Sequence, residues 1–273
     1  MAGLTGIEVL SLILAFSVLG GFFKILGGVL YGSKAVFVDA LTSIANLIAL
    51  LLAIKYWRSS LEPPDEDHHF GHHKLAFGGS ISTLMIYSFV AGIATLKLLD
   101  LREYSISLSA PLMAFLGVVC YLISIIISRR FGTVFTHYST FTVSELIEGA
   151  VVISASLAGA LYSYLVDYSG AVLLTLYIFY ELKKVFTEVL GFISDTAPSR
   201  DLINIVEEVF VRNGLSLSEL RLRRVDSGHY QGMAFVLLKP GDDLTLASSK
   251  VNAVKDVLSN YGVELVVEFK PGE

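Results

Sequence analysis

The sequence predicts a six-helix α-helical transmembrane bundle followed by a small cytoplasmic α+β domain of order αββαβ, and three observations carry that expectation. Hydrophobic residues make up 54% of the 273 residues and charged residues 16%, against roughly 45–50% and about 25% in soluble domains. The apolar excess is concentrated in residues 9–57, 75–100, 108–128 and 146–193, whereas residues 194–273 read as ordinary soluble sequence. Lysine and arginine also gather on one side of the resulting layout.

A spanning helix needs about 20 predominantly apolar residues. Residues 1–193 hold six such helices, near 8–31, 34–57, 76–99, 108–129, 140–165 and 168–192. Gly32-Ser33 breaks the first pair, and the polar segment Pro63–Lys74 separates the second and third. Leu101–Ser109 is a short polar turn, Arg129-Arg130-Phe131-Gly132 follows the fourth helix, and Asp167–Gly170 marks the fifth turn. Lys55, Arg58, Lys74, Arg129, Arg130, Lys183 and Lys184 share one side, while Lys34 and Arg102 lie on the other, with Lys97 inside the end of a span. The excess of basic residues marks the cytoplasmic side, so both termini and the polar segment are expected there. No basic n-region or small-residue cleavage site opens the chain, and no signal peptide is expected.

The pattern changes after Asp195-Thr196-Ala197-Pro198, giving a membrane domain over 1–196 and a cytoplasmic domain over 197–273. Residues 200–213 are amphipathic, with Leu202, Ile205, Val206, Val209 and Phe210 on one face. Residues 217–226, 230–239 and 263–269 read as strands, and 244–260 as a second helix. So small a domain is marginal alone and is expected to pair with a second copy.

Several function classes drop out. The net charge of −5 argues against nucleic acid. The single cysteine, Cys120, allows neither an internal disulfide nor a thiolate metal site. No HExxH, GxSxG or P-loop pattern occurs, so no enzyme is expected. What remains is a set of ionisable residues in unusual places. The Pro63–Lys74 segment holds Asp65, Asp67, His68, His69, His72 and His73, and carboxylates and imidazoles are the usual oxygen and nitrogen ligands of divalent cations. Within the spans, Asp39, Glu145 and Glu148 are costly to bury and are read as functional. Asp39, Thr42, Ser43 and Asn46 share one helix face, and Glu145 and Glu148 lie one turn apart beside Thr140 and Ser144. Two such helices present an all-oxygen site for a metal, and carboxylates exchange protons for metal. Hydroxyls on such faces also serve simply to join helices. Lys24, inside the first span, either snorkels or pairs with an acid of the bundle. Asp226, His229, Glu264 and Glu268 read as solvated faces of the soluble domain.

Taken together, the chain resembles the cation diffusion facilitator (cation efflux) family over essentially its whole length. Gly32-Ser33 resembles the turn before the family's second span, and Asp39-Ala40-Leu41 its second-span motif. Pro64-Asp65 through Gly71-His72-His73-Lys74 resembles the family's polar loop, Asp167 with Leu176-Tyr177-Ile178 its sixth span, and Asp195-Thr196-Ala197-Pro198 its exit. The resemblance implies divalent metal efflux by proton antiport in a homodimer of the cell membrane, with Zn²⁺, Mn²⁺ or Fe²⁺ as candidate cargo. It implies a loop metal site at Asp65, His68 and His72, and a dimer charge interlock of Lys74 with Asp195. The family's transport ligands fall at Thr42, Asn46, Thr140 and Ser144, which are weak ligands; a register starting at His137-Tyr138 puts Phe141 at the acid's position. Two explanations stand at this point. Either Asp39, Glu145 and Glu148 form a shifted, harder oxygen site suited to Mn²⁺, Fe²⁺ or Mg²⁺, or the protein is a non-transporting metal-binding scaffold or sensor of the same fold. The family's regulatory zinc histidines correspond to Leu237 and Glu268, which argues against that kind of regulation.

Overall fold

A membrane segment has no water to satisfy its backbone, so each apolar run closes its hydrogen bonds internally as a helix. The computed structural model describes residues 6–130, 136–226, 228–239 and 241–272, with side chains at all of these except 6, 7, 10 and 136–144. Its long helices are α1 (Gly6–Ile25), α2 (Lys34–Ser60), α3 (Phe77–Leu99), α4 (Ser109–Arg130), α5 (Thr136–Leu161) and α6 (Tyr164–Ile193). Among the described residues, the stretches Ser11–Leu30, Lys34–Ser60, His73–Leu99, Ser109–Arg130 and Tyr164–Ile193 are long and apolar enough to cross a membrane. The expected fifth span corresponds to α5, whose first turns lie where side chains are not described.

The chain forms two compact units. The first comprises Met1–Ile54 with Gly79–Val185, the second Lys55–Gly78 with Phe186–Glu273. Small residues dominate the core of the first unit: Ala35, Val36, Val38, Ala45, Ala91, Ala94, Ala114, Val152, Ala155 and Ala171 are buried together with Leu174 and Ile178. Small side chains let membrane helices approach until backbone and side chain meet closely. Gly28, in the π-helical turn Leu26–Leu30 that ends α1, shows the limit of that approach. A Cβ there would lie 2.4 Å from the Phe37 Cα. Gly32 then reverses the chain at φ +81°, a conformation open to glycine without strain.

Asp167 differs from its expected place. It lies in the first turn of α6 rather than in the connection, because the break falls at Tyr162-Ser163. Its fully buried carboxylate caps another helix. Oδ1 accepts the Ser33 hydroxyl at 2.5 Å, and Oδ2 accepts the Lys34 N–H at 2.8 Å and the Tyr104 hydroxyl at 2.9 Å. An anion at the N-terminus of α2 satisfies otherwise unpaired N–H groups and faces the positive end of the helix dipole.

In the second unit, α2 ends at Ser60, and the polar loop leads to a short 3₁₀ turn, His73–Ala76. After α6 come α7 (Arg200–Arg212), β1 (Ser216–Arg224), β2 (Tyr230–Leu238), α8 (Leu244–Ser259) and β3 (Val263–Pro271). β1 pairs antiparallel with β2, and β2 pairs parallel with β3. Ser199 caps α7 and Asp243 caps α8 through their side-chain oxygens. One sheet face is buried with the helices, through Val206, Phe210, Ala234, Val236, Val251, Val254, Leu258, Val263 and Leu265. Side chains alternate along a strand, and Met233, Leu237 and Val266 remain exposed.

Candidate cation sites

The bundle gathers its intramembrane charges around one point. Lys24, in the last turn of α1, is completely buried, as is Asp39 of α2, and Glu145 of α5 is 2% exposed. The Lys24 ammonium donates to Asp39 Oδ1 at 2.9 Å, Ser43 Oγ at 2.9 Å and Glu145 Oε2 at 3.0 Å. Those three bonds use all three of its N–H donors. Its Nζ also lies 4.7 Å from the Tyr121 ring centroid, within cation–π range. Of the alternatives open for Lys24, pairing with acids is therefore the one found.

Around that centre the network continues. The Ser43 hydroxyl donates to Glu145 Oε2 at 2.8 Å. Asn46 donates through Nδ2 to Glu145 Oε1 and accepts the Tyr87 hydroxyl at Oδ1. Thr42 turns its hydroxyl to the Asp39 carbonyl within its own helix, at 2.9 Å. Glu148 is buried one turn beyond Glu145 but bonds to neither Lys24, Ser43 nor Asn46. Of Thr140 and Ser144 only the helical backbone is described, and their side chains lie outside the described residues. One oxygen remains conspicuous. Among the described residues, Asp39 Oδ2 is buried without a hydrogen-bond partner.

This geometry holds one monovalent cation among oxygens contributed by α2 and α5. Metal–oxygen bonds of about 2.0–2.2 Å are shorter than these ammonium contacts, so a metal taking this place needs the oxygens to close around it and Lys24 to leave. Tyr87 and Tyr121 were not foreseen as members of the network, because a tyrosine in an apolar run carries no signal of its partner.

The polar loop forms a second cluster. Asp65 Oδ1 lies 3.3 Å from His68 Nδ1, and Oδ2 lies 3.4 Å from His72 Nε2. The two imidazoles are 4.1 Å apart between centroids. His72 is buried, and its Nδ1 lies 3.1 Å from the Pro63 carbonyl. A carbonyl only accepts, so Nδ1 carries the proton and Nε2 faces the carboxylate, the orientation in which a metal-binding histidine is held. The His68 backbone N–H, with help from the Asp67 N–H, holds the Asp65 carboxyl below its ordinary range. Asp65 thus stays ionised and available. Lys74 is exposed, and Asp195, at a left-handed φ of 52°, accepts from Arg223 at 3.2 Å within the chain.

Comparison with known proteins adds two findings. The family model for the cation efflux transmembrane domain matches residues 10–191, which run from α1 into the last turn of α6. The chain is also similar to protein p34 of Rickettsia prowazekii (strain Madrid E), with 23% identity over 215 residues that cover 73% of this chain and 70% of that protein.

Proposed function

The chain belongs to the cation efflux family of integral membrane transporters, and on that premise we propose that it exports a divalent cation from the cytoplasm in exchange for protons, by alternating access in a homodimer. The observation that supports this reading is the convergence of Asp39 and Glu145, from two different helices, on a single buried cation position. In the conformation described, the Lys24 ammonium occupies that position. Displacing it frees Asp39, Ser43, Asn46 and Glu145 for metal, with Glu148 one turn away and Thr140 and Ser144 as weaker oxygen partners. Oxygen donors favour Mn²⁺ or Fe²⁺ over Zn²⁺. Protons compete with metal for the same carboxylates, which couples the two flows. Asp65, His68 and His72 bind a further metal at the loop.

In this proposal six helices cross the cell membrane within residues 1–196. Both termini are cytoplasmic, and residues 197–273 form an αββαβ dimerisation domain. Lys74 and Asp195 lock the two copies together. The exposed Met233, Leu237 and Val266 on the sheet support this role, since apolar surface of this kind marks an interface.

A second reading draws on Lys24 itself. If its ammonium never leaves, the cation position stays permanently filled, and the protein is a metal-binding scaffold or sensor. Metal flux into proteoliposomes under an imposed pH gradient separates the two. Zn²⁺, Mn²⁺ and Fe²⁺ are tested singly, with Asp39→Asn plus Glu148→Gln beside the parent chain. Transport predicts proton-coupled flux that the double substitution removes. No flux for any ion, with metal still held through His68 and His72, establishes the scaffold instead.

A further inference from the structure

The β1–β2 hairpin turn and the polar loop bring together a second group of nitrogen and oxygen donors. Asp226 at the turn was expected on a solvated face, yet it is only 9% exposed. Its Oδ1 accepts the backbone N–H groups of Gly228 at 2.7 Å and His229 at 2.9 Å, an Asx-type arrangement that fixes the turn. With Oδ1 committed, Oδ2 faces two imidazoles. His229 Nδ1 lies 2.8 Å from it and His73 Nδ1 4.0 Å. The two rings stack, with centroids 4.2 Å apart and planes 27° from parallel. One ligand atom from each of the three residues falls within a 4.8 Å sphere of mutual distances.

We propose that His73, Asp226 and His229 form a metal site distinct from the loop site at Asp65, His68 and His72. Two imidazole nitrogens and a carboxylate oxygen are a borderline donor set, fitted to Zn²⁺ or a neighbouring first-row ion, with water completing a tetrahedron. A metal at this point takes the lone pair of His229 Nδ1, so that imidazole carries its proton on Nε2, and the contact with Asp226 gives way to two coordinate bonds. The stacked imidazoles and the carboxylate direct one donor atom each to the same small volume, an arrangement suited to sharing one divalent ion. The metal ties the loop, through His73, to the hairpin of the same compact unit. His73 directly follows the loop ligand His72, so occupancy of one site restrains a ligand of the other. None of this depends on transport through the bundle.

The competing description is a local ion pair that only closes the hairpin turn. Residue-resolved carbethoxylation of the full chain in detergent, read by mass spectrometry with and without Zn²⁺, distinguishes them. The site predicts that Zn²⁺ well above its dissociation constant slows modification of both His73 and His229 by at least ~10-fold, because only the unoccupied fraction reacts. Asp226→Asn retains an oxygen for the Gly228 and His229 N–H groups and so keeps the turn. It removes protection at His73 and His229 while His68 and His72 stay protected. His72→Gln gives the converse pattern. If Zn²⁺ protects only His68 and His72 in the parent chain, or Asp226→Asn leaves protection of His73 and His229 intact, the site does not exist. Loss of protection at the loop alone speaks against the loop site and leaves this one standing.

Discussion

Lys24 is the residue on which the bundle turns. A buried ammonium with two carboxylates around it is held by mutual attraction against a large desolvation cost, and removing one partner strands the others at about 3–5 kcal/mol. Lys24→Ala leaves Asp39 and Glu145 facing each other across a vacated cation position. The expected outcome is a lower unfolding temperature in metal-free detergent, recovered in part by Mn²⁺ or Fe²⁺, because a ligand that binds only the folded state stabilises it by mass action. The parent chain, already carrying its own cation, responds less. Equal metal responses from both proteins mean that these acids do not accept a metal. Asp39 Oδ2, without a donor among the described residues, belongs to the same argument, since a buried oxygen without a donor is costly to retain unless something uses it.

At the scale of elements, α2 is the helix that must be placed correctly, because it carries Asp39, Ser43 and Asn46 on one face. Its start is set by α6 through Asp167, which takes bonds from Ser33, Lys34 and Tyr104. Asp167→Ala leaves buried donors at the α2 N-terminus and is expected to cost roughly 3 kcal/mol, combining a lost cap with stranded hydrogen-bond groups. Thermal unfolding in detergent measures this. A change below about 0.5 kcal/mol, the scale of ordinary surface substitutions, removes the claim that α6 positions α2. Asp167→Asn keeps acceptor capacity and is expected to lose less. Asp167 could be read in the sequence as a polar residue at a helix boundary, but not as the cap of a helix more than a hundred residues away.

For the whole molecule, the proposed homodimer rests on the sheet face bearing Met233 and Val266, 40% and 64% exposed. Charged residues placed there remove apolar area from an interface without touching the core of the same domain. Met233→Asp with Val266→Asp is expected to shift the detergent-solubilised protein from dimer to monomer by light scattering. An unchanged dimer moves the interface elsewhere. The sequence by itself determined the long apolar helices and the change of composition after residue 196, and it singled out Asp65, His68 and His72 of the loop and the acids of the spans as candidates. Each of these rests on local signals: apolar length, turn chemistry, and charges where lipid makes them costly. Only the tertiary structure decided which groups meet. It put Lys24 between Asp39 and Glu145, turned Thr42 back to its own helix, joined Asn46 to Tyr87, and drew His73 to Asp226 and His229. Partners separated by scores of residues leave no periodicity in a single sequence, because their pairing is fixed by helix packing and by the satisfaction of buried polar groups.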